Sequence, residues 1–378
     1  MDELFGELYK VRRWFAWFTC VPPSAEWAVP VLVFIFINLG VSKVWSGERL
    51  EFHNGVRALG MGGAALAVTN DETAMVVNPA GLGKLRDYIV TVFDPELHMS
   101  GPVTGLTSGQ QITNYFDPQP IYDAIAKMPG LNFHFTYNLM PSVVAPNFGL
   151  GVLYHARANG RLDEAGTNFH YDYRSDVAPI LAYNFRFWDG RIKLGVSGRY
   201  IERVEASFDS APPISGLERA SFQKASAGIG VDFGLMLSAP WKSLPTLALV
   251  VRDFGNTKFD IGGDPAKQVD TVAQTVDAAV AFFPIGGKRV RFTITAEMKD
   301  ILSTSELDLM RRLHSGIEAN FADILFLRAG YNQNYWTAGI EFATGHMQFQ
   351  AATYGENIGT DTALVEDRRY VGKFVFRF

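Results

Sequence analysis

From about residue 132 onward the chain alternates. Residues 289–298 read Arg-Val-Arg-Phe-Thr-Ile-Thr-Ala-Glu-Met, and residues 192–200 read Ile-Lys-Leu-Gly-Val-Ser-Gly-Arg-Tyr. A period of two is the signature of a strand with one apolar and one polar face. Short turn signals separate such runs: Asp189-Gly190, Gly286-Gly287, Ala322-Asp323 and Thr344-Gly345. The Asp-Gly pair suits a two-residue hairpin loop that needs positive φ. The pattern predicts an all-β chain of about 14 strands, near 88–94, 132–140, 147–157, 174–187, 191–205, 221–238, 245–253, 273–284, 289–298, 313–321, 324–332, 335–343, 346–354 and 370–378.

The connections alternate as well. Long ones, at 95–131, 158–173, 206–220, 254–272, 299–312 and 355–369, take turns with short ones, and only Gln333-Asn334 breaks the order. Transmembrane barrels sort their loops this way, with tight turns at one mouth and extended loops at the other. A soluble sandwich has no reason to.

The polar face strengthens this reading only in combination. It carries Lys193, Arg199, Arg289, Arg291, Glu297, Glu318, Arg328, Glu341, Lys373 and Arg377, which would line either a water-filled bore or a solvated sheet. The last nine residues add more, because Tyr370, Phe374, Phe376 and Phe378 share one face and the chain stops on an aromatic. Phe374, Phe376 and Phe378 resemble the terminal signal read by the outer-membrane barrel assembly machinery. Aromatics near other strand ends (Phe187, Trp188, Trp241, Phe282, Phe283, Phe321, Phe342) fit interfacial girdles.

Composition agrees. The chain is 48% hydrophobic with 29 Phe and 14 Tyr, which excludes disorder, and its single Cys excludes an internal disulfide. A net charge of −5 gives no basic field for nucleic acid. The one long apolar run, 28–41, is shorter than the ~20 residues of a spanning helix. Together with Lys10, Arg12, Arg13 and the small Ser46, that run reads as a secretory signal peptide over 1–46; a membrane anchor or a buried strand are the alternatives.

A box precedes the first strand. Residues 55–68 read Gly-Val-Arg-Ala-Leu-Gly-Met-Gly-Gly-Ala-Ala-Leu-Ala-Val, and Asn70-Asp71-Glu72 leads to Asn78-Pro79-Ala80-Gly81-Leu82. Glycines permit close backbone approach, and the residue before proline leaves the helical region. The physics gives a compact element of small residues. The pattern resembles the N-terminal hatch of the FadL-type outer-membrane long-chain fatty-acid transporters and the related PorV/PorQ-like barrels, departing mainly at Asn70-Asp71-Glu72. The resemblance implies a Gram-negative outer-membrane location. It also implies a hatch over 47–87 plugging a barrel over 88–378, with Gly60, Met61, Gly62, Gly63, Asn78, Pro79 and Ala80 in the plug. In that family hydrophobic compounds are captured by outer loops and leave sideways through the wall; a role in secretion or surface attachment of exported proteins is the alternative, and a non-specific pore a third.

Within that frame, Phe116, Ile121, Tyr122, Ile125 and Met128 in one long loop, with Leu307 and Met310 in another, are candidates to capture a hydrophobic ligand or simply to pack on the rim. Arg57, Arg289, Arg291 and Arg328 are candidate lumen cations, to pair with a ligand carboxylate or with Glu297, Glu318 and Glu341. No cofactor is expected. Gly195-Val196-Ser197-Gly198 is one residue short of a nucleophile elbow, and the seven His show no metal-ligand spacing. The sequence reads as a non-enzyme with lipid and a hydrophobic small molecule as partners.

Overall fold

The computed structural model describes residues 51–101, 114–212, 216–302, 309–359 and 364–378; the expected signal segment and Leu307 lie outside them. Among the described residues, sixteen antiparallel strands close into a single barrel. In chain order they are β1 (Ile89–Phe93), β2 (Glu96–Ser100), β3 (Asn132–Leu139), β4 (Ser142–Ala145), β5 (Phe148–Leu162), β6 (Phe169–Phe187), β7 (Ile192–Ser210) and β8 (Gln223–Ser238). Then follow β9 (Thr246–Arg252), β10 (Thr275–Phe282), β11 (Val290–Met298), β12 (Leu313–Phe321), β13 (Leu325–Asn332), β14 (Tyr335–Ala343), β15 (Met347–Asn357) and β16 (Glu366–Arg377). The barrel closes where β16 pairs with both β1 and β2.

The sixteen strands make fourteen staves. β1 and β2 both lie between β16 and the next stave, and β3 and β4 both pair with β5. Each pair is one stave broken at a proline, by Asp94-Pro95 in the first and Met140-Pro141 in the second. Proline has no N–H to give to a ladder, so the sequence pattern ends the first strand at Pro95. The stave in fact resumes beyond it, because its neighbours' ladders continue.

Alternation sorts the two faces. On β11, Thr293, Thr295 and Glu297 are buried toward the bore while Ile294 is exposed. Leu150, Leu181, Leu247, Ile317 and Leu327 are likewise exposed on the outside, as a lipid-facing band requires. Every backbone group in such a band must be paired within the protein, and a closed antiparallel ladder does this. Tight turns use left-handed residues, Ala322 and Asp323 at one mouth and Gln333 and Asn334 at the other.

The staves differ in height. β6 and β7 have 19 residues each, whereas β9 has 7. Roughly 9–11 tilted residues suffice to cross, so β5 to β8 rise as a rampart above the long-loop mouth.

The hatch threads the bore. It contains α1 (Val56–Gly60), α2 (Ala74–Val77) and a 3-10 turn over Pro79–Lys84. It sits close to the wall where the wall has glycine. A Cβ on Gly195 would lie 2.2 Å from the backbone of Pro79 and Ala80, and one on Gly330 2.3 Å from the nitrogen of Gly62. Gly195→Ala is therefore expected to push the hatch off β7, lowering the melting temperature in detergent and raising conductance in planar bilayers. Gly198→Ala, on the same strand with nothing within 4 Å, is the control expected to change neither.

Candidate functional site

All seven hatch residues singled out in the sequence lie buried in the bore. Gly62 has φ +67 and its carbonyl accepts from Nδ1 of His314 at 2.8 Å. Thr337 clasps this turn, accepting from the Gly62 N–H at 2.9 Å and donating to the Gly60 carbonyl at 3.0 Å. Met61 packs where Gly316 leaves room. Asn78 organises the other end. Its Nδ2 donates to the Leu66 carbonyl at 3.0 Å and its Oδ1 accepts from the Ala80 N–H at 3.1 Å, tying two stretches of the hatch together. Pro79 follows because the missing N–H costs nothing at the first position of a helical turn.

Charges join hatch to wall. Arg57 donates from Nε and Nη2 to the two oxygens of Glu318, at 3.0 and 2.8 Å, and from Nη1 to Asn70 at 2.6 Å. Arg328 donates to Glu318 at 2.7 Å and pairs with Glu341. Burial works against the Arg57 charge, yet Glu318 and Asp71 outweigh it and hold its pKa above the ordinary value. Glu297 serves differently, accepting the Leu66 N–H at 2.9 Å. Four of the seven expected lumen charges thus form one network, and Glu297 holds a hatch amide.

Arg289 and Arg291 depart from the expectation. Arg289 lies in the turn before β11, and Arg291 shares the lumen parity but sits at the short-turn mouth, 65% exposed and 3.4 Å from Asp323 of the neighbouring turn. Parity fixes the face of a side chain but not its depth.

Other pairings escaped the sequence reading. Lys373 lies 3.0 Å from Asp94, 3.7 Å from Glu72 of the hatch and 4.0 Å from Glu96. Burial raises the Glu72 carboxyl pKa, and Lys373 opposes that shift. Arg252 bonds Asp277 at 2.7 Å and the hatch carbonyl of Val76 at 3.0 Å. Arg199 pairs with Asp232 and with Asp253, and Arg203 is bidentate to Asp176. The available signal was a charge at lumen parity on each of these strands; which carboxylate meets which cation is set by register.

The expected capture loop is placed differently. Its helix, α3 (Pro118–Ile125), buries Ile121 and Ile125 completely. Ile121 occupies the space beside Gly160, whose parity on β5 is that of the exposed Leu150, Val152 and Tyr154. The same parity joins Phe169, Tyr171 and Tyr173 to the exposed Val177, Leu181 and Tyr183 of β6. Hence α3 lies on the outer face of the rampart and not over the bore. Tyr122 stands edge-on to Phe169 at 5.4 Å and Phe116 edge-on to Phe135 at 5.3 Å. Met128 is exposed, and Met310 is half-buried within α4 (Leu309–Arg312).

Beside the first hatch residues, a polar cavity of about 90 Å³ is lined by His53, His98, His134, His155, Arg157 and Glu51, among others. The described residues hold no group of three or more His, Cys, Asp or Glu arranged for a metal ion.

Asn78→Ala would leave the Leu66 carbonyl and the Ala80 N–H unpaired, at roughly 1–3 kcal/mol each. Arg57→Met would strand Glu318 beside one arginine. Both are expected to lower the melting temperature and to raise leakage of small solutes from liposomes, Asn78→Ala without altering the ionic network.

No family model matches the chain, and neither does any curated protein. Solved structures do. A deltaS2S3 mutant of the TodX monoaromatic hydrocarbon channel superposes with a TM-score of 0.51 at 12% identity, covering 86% of this chain and 99% of that one. The CymD monoaromatic hydrocarbon channel gives 0.49 at 11% identity, covering 85% and 96%. A Pseudomonas aeruginosa FadL homologue gives 0.47 at 10% identity, covering 88% and 98%. The TodX superposition shows a shared fold, here a closed barrel of fourteen staves with the small-residue box seated inside it.

Proposed function

We propose that the chain is an outer-membrane channel through which hydrophobic small molecules diffuse inward, leaving the barrel sideways. The observation that carries the reading is the pair of broken, adjacent staves beside a bore packed with ion pairs. A greasy molecule gains nothing in such a bore, whereas each CH₂ it buries in an apolar setting is worth about 0.8 kcal/mol. A route through the wall avoids the charged interior.

The breaks offer that route. Across them, an Asp94 oxygen accepts the Met140 N–H at 2.6 Å, a side chain standing in for a ladder carbonyl. On the outside the break is flanked by exposed Val92, Phe93, Leu97 and Val143. On the inside Asp94 meets Lys373, which also faces Glu72 of the hatch. Movement of the hatch would thus be felt at the seal through one shared ammonium group. The similar TodX structure is a monoaromatic hydrocarbon channel, so uptake assays on this chain should compare such rings with long alkyl chains.

A disulfide between Asp94→Cys and Met140→Cys is expected to abolish uptake of a labelled alkanoate or toluene into proteoliposomes, with recovery on reduction. Uptake that continues through the cross-linked barrel would overturn the lateral route. The cysteine-free background needs only Cys20 replaced.

A further inference from the structure

The central cations of the bore come with carboxylates: Arg57 with Glu318, Arg203 with Asp176, Arg252 with Asp277, Lys299 with Glu51, Lys373 with Asp94. Burying a charge without a partner is costly, and these pairs are how the wall avoids it. Two buried or half-buried lysines at the short-turn mouth do not follow the rule. Lys84, the last residue of the hatch 3-10 turn, donates to the Ala67 carbonyl at 2.6 Å and lies over the Phe283 ring at 5.2 Å. Lys193, near the start of β7 and 7% exposed, donates to the Gly190 carbonyl at 2.5 Å.

The two are neighbours. A Cβ on Gly83 would lie 2.9 Å from the Lys193 stem. Arg186, the cross-strand partner of Lys193, adds a third cation on the open side, its guanidinium close to Gly190. Among the described residues no carboxylate lies within 4 Å of any of the three. Carbonyl oxygens satisfy one donor on each ammonium but neutralise no charge, and two donors per lysine remain.

We propose that Lys84 and Lys193, with Arg186 at their open edge, form a binding site for a small oxyanion, a carboxylate or a phosphate, under the hatch. Such an anion would bridge plug and wall, because Lys84 belongs to the hatch and Lys193 to β7. It would supply the counter-charge that carboxylates of the chain provide for Arg57, Arg203, Arg252, Lys299 and Lys373. The site differs from the ion-paired network around Arg57 and from the broken staves, so it stands independently of the transport route.

A supporting sign is the state of Lys84. Burial, with Lys193 and Arg57 nearby, pushes its pKa down to about 7. The unfolded chain then binds more protons than the folded one between about pH 7 and 10.5, so this lysine makes the fold more stable as pH rises through that window. A bound anion would restore the charged form and flatten that dependence.

The test uses the full chain in detergent at pH 6.5, titrated calorimetrically with inorganic phosphate and, separately, with octanoate. Lys84→Met and Lys193→Met keep the aliphatic stems and remove the charge, and circular dichroism melts confirm folding. Lys242→Met, in another short turn, controls for general surface charge. Expected is saturable binding of at least one anion, weakened on the order of tenfold in each site variant and unchanged in the control. Binding of octanoate alone would identify the acid head of an amphiphile, and binding of phosphate alone a free ion or a phosphate headgroup. No saturable binding of either anion, or binding unaltered in both variants, would overturn the site.

Discussion

The structure depends on one constraint: a sheet closed in lipid must turn its polar face inward, where charges sit close together with little water to screen them. Coulomb energies grow as the local dielectric falls, and so do the penalties for charges without partners. The hatch answers both. Its backbone offers Gly60 and Gly62 to Thr337, its Leu66 amide to Glu297, and its Arg57 to Glu318. A purely apolar stopper would leave Glu318 beside Arg328 alone and Glu297 without its amide. The plug is therefore built of small residues for fit, with one arginine placed where the wall carries a surplus of carboxylate.

Seen this way, the box of glycines and the charges at lumen parity form one design. Gly195 and Gly330 let the wall come within contact of the hatch backbone. Loss of fit at the glycines and loss of charge at Arg57 should act on the same property, the tightness of the stopper. The close contacts are spread around the bore, with Asn78 against Gly234 of β8 and Met61 against Gly316 of β12.

Much of this was legible in the chain itself. Strict alternation over 289–298 gave a strand, found as Val290–Met298, the strand pattern gave a count of about fourteen, and loop parity gave a barrel. A compact small-residue element before the first strand was legible in Gly-Met-Gly-Gly and Asn-Pro-Ala-Gly, while its role as a hatch came from the family resemblance and not from the local pattern. What could not be read was depth and side. Arg291 has the parity of a lumen residue yet lies at the rim, since parity says nothing of position along the axis. Ile121 and Ile125 showed a helical apolar stripe, but a stripe does not say which surface it covers. Only the long β5 to β8 rampart, extending above the lipid band, creates an outer wall that a helix can cover. Pro95 and Pro141 read as strand ends because each deletes a donor; that the staves resume beyond them depends on neighbours distant in sequence.

Those two prolines join the local and the global. A single proline in a barrel strand costs one ladder bond, and an edge or a bulge usually absorbs it. Here two fall on adjoining staves, so the defects face each other, and the Asp94 side chain closes the space to Met140. A carboxylate in that position demands a cation on its inner side, and Lys373 supplies it while also facing Glu72. This interrupted stretch of wall is thus one of those whose electrostatics reach the plug. Continuous pairing there would close the wall more tightly; the lateral route proposed above would instead use a seam that is interrupted, sealed by few bonds and tied to the element that fills the bore.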